Sequence, residues 1–188
     1  MSRNRTAVLL VIGSLLVGAS PATAHADDSP LYRLVDTAAQ RLATADPVAA
    51  TKWLNGGPIT DPARANQVLD AVAADATAHG VDAAYVRTVF TEQIAATEGI
   101  QYTRFGQWKF DPASAPTAAP DLAASRTAID GFNRTMVDEI ALQWNSLHGP
   151  GCAADLTSAT EAVANTRGLD PLYRQALSSA TRSYCPLT

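Results

Sequence analysis

Four cations stand at spacings that could gather them around one small anion: Arg41, Lys52, Arg64 and Arg126. Arg41 and Lys52 are eleven residues apart, close to three turns of a helix at about 3.6 residues per turn. One helix face can carry both if the chain passes Asp46-Pro47 without turning away. A planar, forked guanidinium suits a carboxylate, and a compact ammonium suits a single oxygen. Lys52 shares the chain with only one other lysine, Lys109; it follows small and apolar residues and precedes Trp53. The competing reading is a stem that snorkels past Trp53 into solvent. Each arginine taken alone reads as a surface side chain, so the case rests on the joint spacing.

Neutral donors accompany the cations. Gln93, Thr97 and Gln101 recur every four residues, followed by Arg104. This stripe is either a solvent face or a ligand face. It lacks the Glu/Lys pairs usual on solvent faces, and Thr and Gln suit a face that must hydrogen-bond a ligand. Asp61 and Arg64 read either as a helix cap with an i,i+3 ion pair or as an anion ligand beside its support. Arg126 lies near an expected helix start, against the helix dipole; it needs Asp121, Asp130 or a ligand. His79 and His148 fall near helix ends with no nucleophile at a recognisable spacing. There is no G-x-S-x-G, no H-E-x-x-H and no glycine-rich phosphate loop. Asn133-Arg134-Thr135 matches a glycosylation sequon but lies inside an expected helix, and no role is assigned to it.

The elements that must position these residues are helical. Alanine is abundant, aromatics make up 6% of the chain, and apolar residues recur at spacings of three and four. The expected fold is all-α, a single domain of about six helices. The first spans about 31–54, with a kink or short break at Asp46-Pro47, and Asn55-Gly56-Gly57-Pro58 ends it. The second starts at Asp61-Pro62 and stops at Gly80; the third runs from the Asp82 cap to about Trp108. A Pro/Ala-rich loop covers 111–120. The fourth helix spans about 122–147, the fifth 152–167 and the sixth 171–185, the last two forming an antiparallel hairpin.

Residues 1–26 read as a secretory signal peptide. Arg3 and Arg5 precede a short apolar run, and Ala24-His25-Ala26 fits a small-x-small cleavage site. The apolar run is too short for a good membrane span. The expected mature domain is 27–188. Removing the two leader arginines from 14 basic residues leaves 12 against 18 acidic ones, about −6. Such an acidic chain is a poor nonspecific nucleic-acid binder and can hold an anion only by concentrating its cations locally. Cys152 and Cys185 read as a structural disulfide across the open end of the last hairpin. With no His at ligand spacing they make a poor zinc site.

The order Arg41, Lys52, Asp61, Arg64, Thr97, Gln101 resembles the all-helical, type II chorismate mutases. Asp46-Pro47-Val48-Ala49-Ala50 with Lys52-Trp53, Ala96-Thr97-Glu98, Tyr102, Arg104-Phe105, Trp108-Lys109, Asp111-Pro112-Ala113-Ser114-Ala115-Pro116, Ser125-Arg126, Cys152-Ala153-Ala154 and Ser183-Tyr184-Cys185 resemble its secreted subclass. The resemblance runs from about Leu31 to Cys185. It implies rearrangement of chorismate to prephenate, with no metal or cofactor, in a site built within one chain. It implies that Arg41, Arg64 and Arg126 hold the two substrate carboxylates. Lys52 and Gln101 donate to the ether oxygen, Lys52 also reaching a carboxylate. Thr97 assists carboxylate binding, and Asp61 touches the ring hydroxyl or positions its neighbours. It implies a secreted or periplasmic homodimer, with no membrane attachment once the leader is removed. One position departs: the mycobacterial secreted pattern carries Glu where this chain has Gln101. A competing reading is a secreted helical binding protein for a small dicarboxylate without turnover, which needs the arginines but neither Lys52 nor Gln101. A third is a structural or host-interaction domain with every charge on its surface.

Overall fold

Leu34, Val35, Ala38, Ala39 and Leu42 recur on one side of the first helix, α1 (Tyr32–Ala43), and all are buried. The computed structural model describes residues 29–186; the expected leader at 1–26 lies outside the described residues. The break in the first expected segment falls at Thr44, two residues before Asp46-Pro47, and a separate helix α2 (Ala45–Asn55) follows. Proline explains the placement. Pro47 has no N–H and its ring would clash with the carbonyl four residues back, so an unbroken helix cannot run through it. Resetting at Thr44 puts Pro47 in the first turn of α2, where an N–H has no intrahelical partner to lose. The Thr44 amide and hydroxyl both bond the Arg41 carbonyl, at 3.1 and 2.7 Å.

Three further helices start at the expected aspartates. Asp61 accepts from the Arg64 N–H at the start of α3 (Pro62–Ala78). Asp82 accepts from Ala84 N–H at the start of α4 (Ala83–Phe110). Asp121 accepts from Ala123 N–H at the start of α5 (Leu122–Leu142). Each cap satisfies a donor that the helix cannot pair internally. The fourth expected helix is two pieces: α5 stops at Leu142, and α6 (Trp144–Leu147) resumes after Gln143. α7 (Cys152–Thr166) and α8 (Pro171–Ala180) follow, with Asp170 capping α8 through the Tyr173 N–H. The last helix ends five residues before Cys185. The chain turns there, sinking Tyr184 fully into the core and bringing Cys185 to its disulfide with Cys152.

The core joins α1 to nearly everything else. Leu34, Val35 and Leu42 pack with Val68 and Val72 of α3, Val89, Phe90 and Ile100 of α4, and Met136, Val137 and Ile140 of α5. α4 has 28 residues, about 42 Å of helix at 1.5 Å per residue. That length lets one rod meet α3 and α8 as well as α2. Among the described residues no helix is long and apolar enough to cross a membrane.

Candidate active site

Where α1, α2, α3, α4 and α5 converge they leave a cavity of about 120 Å³. Arg41, Lys52, Asp61, Arg64, Thr97, Gln101 and Arg126 all line it, so the seven residues that the resemblance singles out are brought to one place. Val48, Ile59, Val68, Ile94, Leu122 and Ile129 supply apolar wall between them. A small, largely apolar concavity with a few convergent polar groups is the usual form of a small-molecule site.

Arg41 enters from the last turn of α1 and is 4% exposed. Its Nε donates to Asn133 Oδ1 at 2.8 Å, one guanidinium nitrogen donates to Thr97 Oγ1 at 3.3 Å, and the group lies over the Phe90 ring. Among the described residues no carboxylate lies within 4.0 Å of it. Burial pushes its pKa down to about 10, against the raising influence of Tyr184. It remains a cation at neutral pH. A buried charge held only by neutral groups is costly, and an arriving carboxylate would relieve that cost.

Lys52 sits in the last turn of α2, where the Gly56 cap, at φ 68°, turns the chain back. It does not snorkel outward: its Nζ donates to the Ile59 carbonyl at 2.6 Å. Burial lowers its pKa; Asp61 and Glu98 oppose that shift, and Arg126 adds to it. Arg64 is braced by Asp130 at 2.8 Å. Asp130 goes to Arg64, and among the described residues no carboxylate lies within 4.0 Å of Arg126 at the cavity wall.

The polar stripe of α4 divides. Gln93 is fully buried and ties α4 to α1 through the Ala38 carbonyl at 3.0 Å. Thr97 and Gln101 face the cavity, and Arg104 turns to Asp46 at 2.7 Å. The Thr97 hydroxyl donates to the Gln93 carbonyl at 2.8 Å, so its oxygen accepts from Arg41. Gln101 is 3% exposed, its Oε1 has no partner among the described residues, and its amide nitrogen makes no hydrogen bond to them. A buried acceptor left unpaired is rare unless something else completes it, and Gln93 Oε1 is a second such atom on the same helix.

Two contributors escaped the reading of the sequence. Asn133 holds Arg41, and a signal was present: Asn133, Met136, Val137 and Ile140 share the buried side of α5. Glu98 lines the cavity and had no assigned role. The lining then carries four cations (Arg41, Lys52, Arg64, Arg126) and two carboxylates (Asp61, Glu98), a net +2. Among the described residues no group of three His, Cys, Asp or Glu is placed to hold a metal ion.

Residues 32–102 match the family model for type II chorismate mutase. The chain is 59% identical over 171 residues to a secreted chorismate mutase of Mycolicibacterium smegmatis, covering 90% of this chain and 94% of that protein. It is 48% identical over 176 residues to a secreted chorismate mutase of Mycobacterium tuberculosis, covering 93% and 88%. A solved chorismate mutase of Burkholderia phymatum superposes with a TM-score of 0.80 at 30% identity, covering 87% of this chain and 99% of that one. Identity of this level across nearly the whole chain, together with a shared helical fold, places the chain in the chorismate mutase family, in its secreted branch.

Proposed function

We propose that the cavity binds chorismate as a dianion and rearranges it to prephenate, with Lys52 and Gln101 as the donors that meet the ether oxygen. The observation that carries this is the state of Arg41: it is buried in the lining with no carboxylate within 4.0 Å among the described residues, and Lys52 and Gln101 line the same cavity. A net +2 lining also fits two carboxylates.

The reaction breaks a C–O bond while a C–C bond forms within one molecule, and no proton need move. The protein has two tasks: to hold a folded conformer, and to meet negative charge growing on the ether oxygen. In this reading Arg41, Arg64 and Arg126 grip the carboxylates, with Thr97 acting on one of them through Arg41. Lys52 and Gln101 serve the ether oxygen from two sides. Asp61, whose Oδ1 caps α3, keeps its other oxygen for the ring hydroxyl. Even modest enzymatic acceleration, about a million-fold, requires roughly 8 kcal/mol. One preorganised donor in a dry site supplies about 3–4 kcal/mol. Two donors with conformer selection are sufficient in scale, and the roles need no metal or cofactor.

The decisive experiment adds chorismate to purified protein and follows its loss by absorbance. Turnover should be rapid, and Lys52→Ala should lower kcat far more than Thr97→Ala. No loss beyond the uncatalysed rate would sink the assignment, and equal small effects would reverse the roles. We further propose that residues 1–26 are removed on export and that the mature chain is an unanchored homodimer, as the secreted subclass implies. Mass spectrometry of the exported protein and sedimentation analysis test these two points.

A further inference from the structure

We infer that Thr60 is a positioning residue for the rearrangement. By bonding Glu98 and Tyr102 of α4, it holds the Ile59 carbonyl where that carbonyl orients the Lys52 ammonium towards Gln101. The inference rests on the proposed pairing of Lys52 and Gln101 at the ether oxygen.

An ammonium has three donors on a rotatable stem. In Lys52 one is spent on the Ile59 carbonyl at 2.6 Å. Two remain, the number needed to reach an ether oxygen and a carboxylate together. The carbonyl therefore acts as a third leg that decides where the other two point. Its own placement depends on the segment joining α2 to α3. One end of that segment is pinned where the Gly57 N–H donates to the Lys52 carbonyl at 2.9 Å. At the other, Asp61 accepts from the Arg64 N–H at 3.0 Å. Ile59 is buried against the cavity between them.

The middle of the segment is held by one side chain. Thr60 Oγ1 lies 3.2 Å from Glu98 Oε2 and 2.9 Å from the Tyr102 hydroxyl. A carboxylate only accepts, so the Thr60 proton goes to Glu98 and Tyr102 donates to Thr60. This directed chain lies at the exposed rim and ends on an anion, which strengthens its last link. Its two anchors flank Gln101 on α4: Glu98 is one turn before it and Tyr102 is the next residue. The donor on α2 and the donor on α4 are thus tied by a latch built beside each. A second tie lies on the outside, where Trp53 packs edge-on against Phe105 and Trp108, with ring centroids 5.1 and 5.5 Å apart. Small displacements of reacting geometry are expensive in rate, so the latch should register in kcat more than in stability.

The test compares Thr60→Val, Thr60→Ser and Tyr102→Phe by steady-state kinetics and thermal melting. Thr103→Val is the control, because among the described residues its exposed hydroxyl bonds only the Gly99 carbonyl of its own helix. Thr60→Val should lower kcat about five- to tenfold, the equivalent of one net hydrogen bond, with KM within about twofold and Tm unchanged. Thr60→Ser should restore kcat, Tyr102→Phe should lower it in the same direction, and Thr103→Val should match the parent. The proposal is overturned if Thr60→Val keeps the parental kcat, or raises KM alone, while Lys52→Ala still collapses turnover. If Lys52→Ala itself has little effect, the fault lies in the underlying assignment of Lys52. Should Thr60→Val fail to fold, Tyr102→Phe at the exposed end of the latch decides the question.

Discussion

Arg41 Nε donates to Asn133 Oδ1 at 2.8 Å, and both side chains are buried. The two residues are 92 positions apart, so this bond joins the end of α1 to the middle of α5. It leaves the rest of the guanidinium turned to Thr97 and the cavity. Asn133→Leu keeps the branched shape of the side chain and removes the acceptor. It should cost about 1–3 kcal/mol through the unsatisfied buried donor, which for a chain of this size lowers Tm by about 3–10 °C. KM for chorismate should rise as well, since Arg41 loses its orientation. A variant with parental Tm and KM would show that Asn133 merely fills space.

The neutral amide at 101 sets an acid-side expectation. A Gln donates at any pH, whereas a Glu donates only when protonated. The activity of this chain should therefore stay nearly flat from mild acid to neutral pH. Gln101→Glu should be active at low pH and lose activity as pH rises through its carboxyl titration. A parental profile that falls steeply between mild acid and neutrality would remove Gln101 from the ether oxygen.

Lys52 sets the alkaline side. Burial lowers its pKa below the ordinary lysine value of 10.5. The cation is the working form, so kcat/KM of the free enzyme should fall as pH rises through that lowered value, earlier than an exposed lysine would allow. The same shift has a stability sign. The folded state holds the Lys52 proton less tightly than the unfolded chain does, so the ammonium opposes folding while it is charged, and stability should rise as it deprotonates. Lys52→Met should accordingly keep or raise Tm while kcat drops by about two to three orders of magnitude. A clear loss of Tm would contradict this reading of Lys52 as a group held for function at a cost to stability.

The disulfide spans 33 positions, from the start of α7 to just beyond α8. Loop-closure entropy for that span is worth about 3–4 kcal/mol. Replacing both cysteines by alanine should lower Tm by about 8–15 °C. Differential scanning calorimetry with and without reductant measures it directly. An unchanged midpoint would mean that the hairpin is held by its packing alone.

Much of the site was legible before folding was considered, because local interactions wrote it. The caps at Asp61, Asp82, Asp121 and Asp170 each bond an amide two or three residues away, a distance over which the sequence is its own geometry. Lys52, Thr97 and Gln101 were found because residue type and helical spacing survive any packing, and the family resemblance supplied their roles. The break before Pro47 was also local, although the need to reset before the ring moved it to Thr44.

By itself the sequence determined most helix starts, their caps, the cysteine pair and which cations are candidates for the site. Tertiary packing decided who pairs with whom. Asp130 lies four residues from Arg126 on the same helix, yet it braces Arg64, 66 positions away. Asn133, part of a sequon pattern inside an expected helix and given no role, became the support of Arg41. The α4 stripe could face either way until α1 and α2 packed against it. The Ile59 carbonyl, a backbone atom that no residue type announces, became the rest for the Lys52 ammonium. The physical reason is the same in each case. Helical periodicity states which residues share a face, but burial of that face, and hence which charge is left without a partner, exists only once separate helices meet.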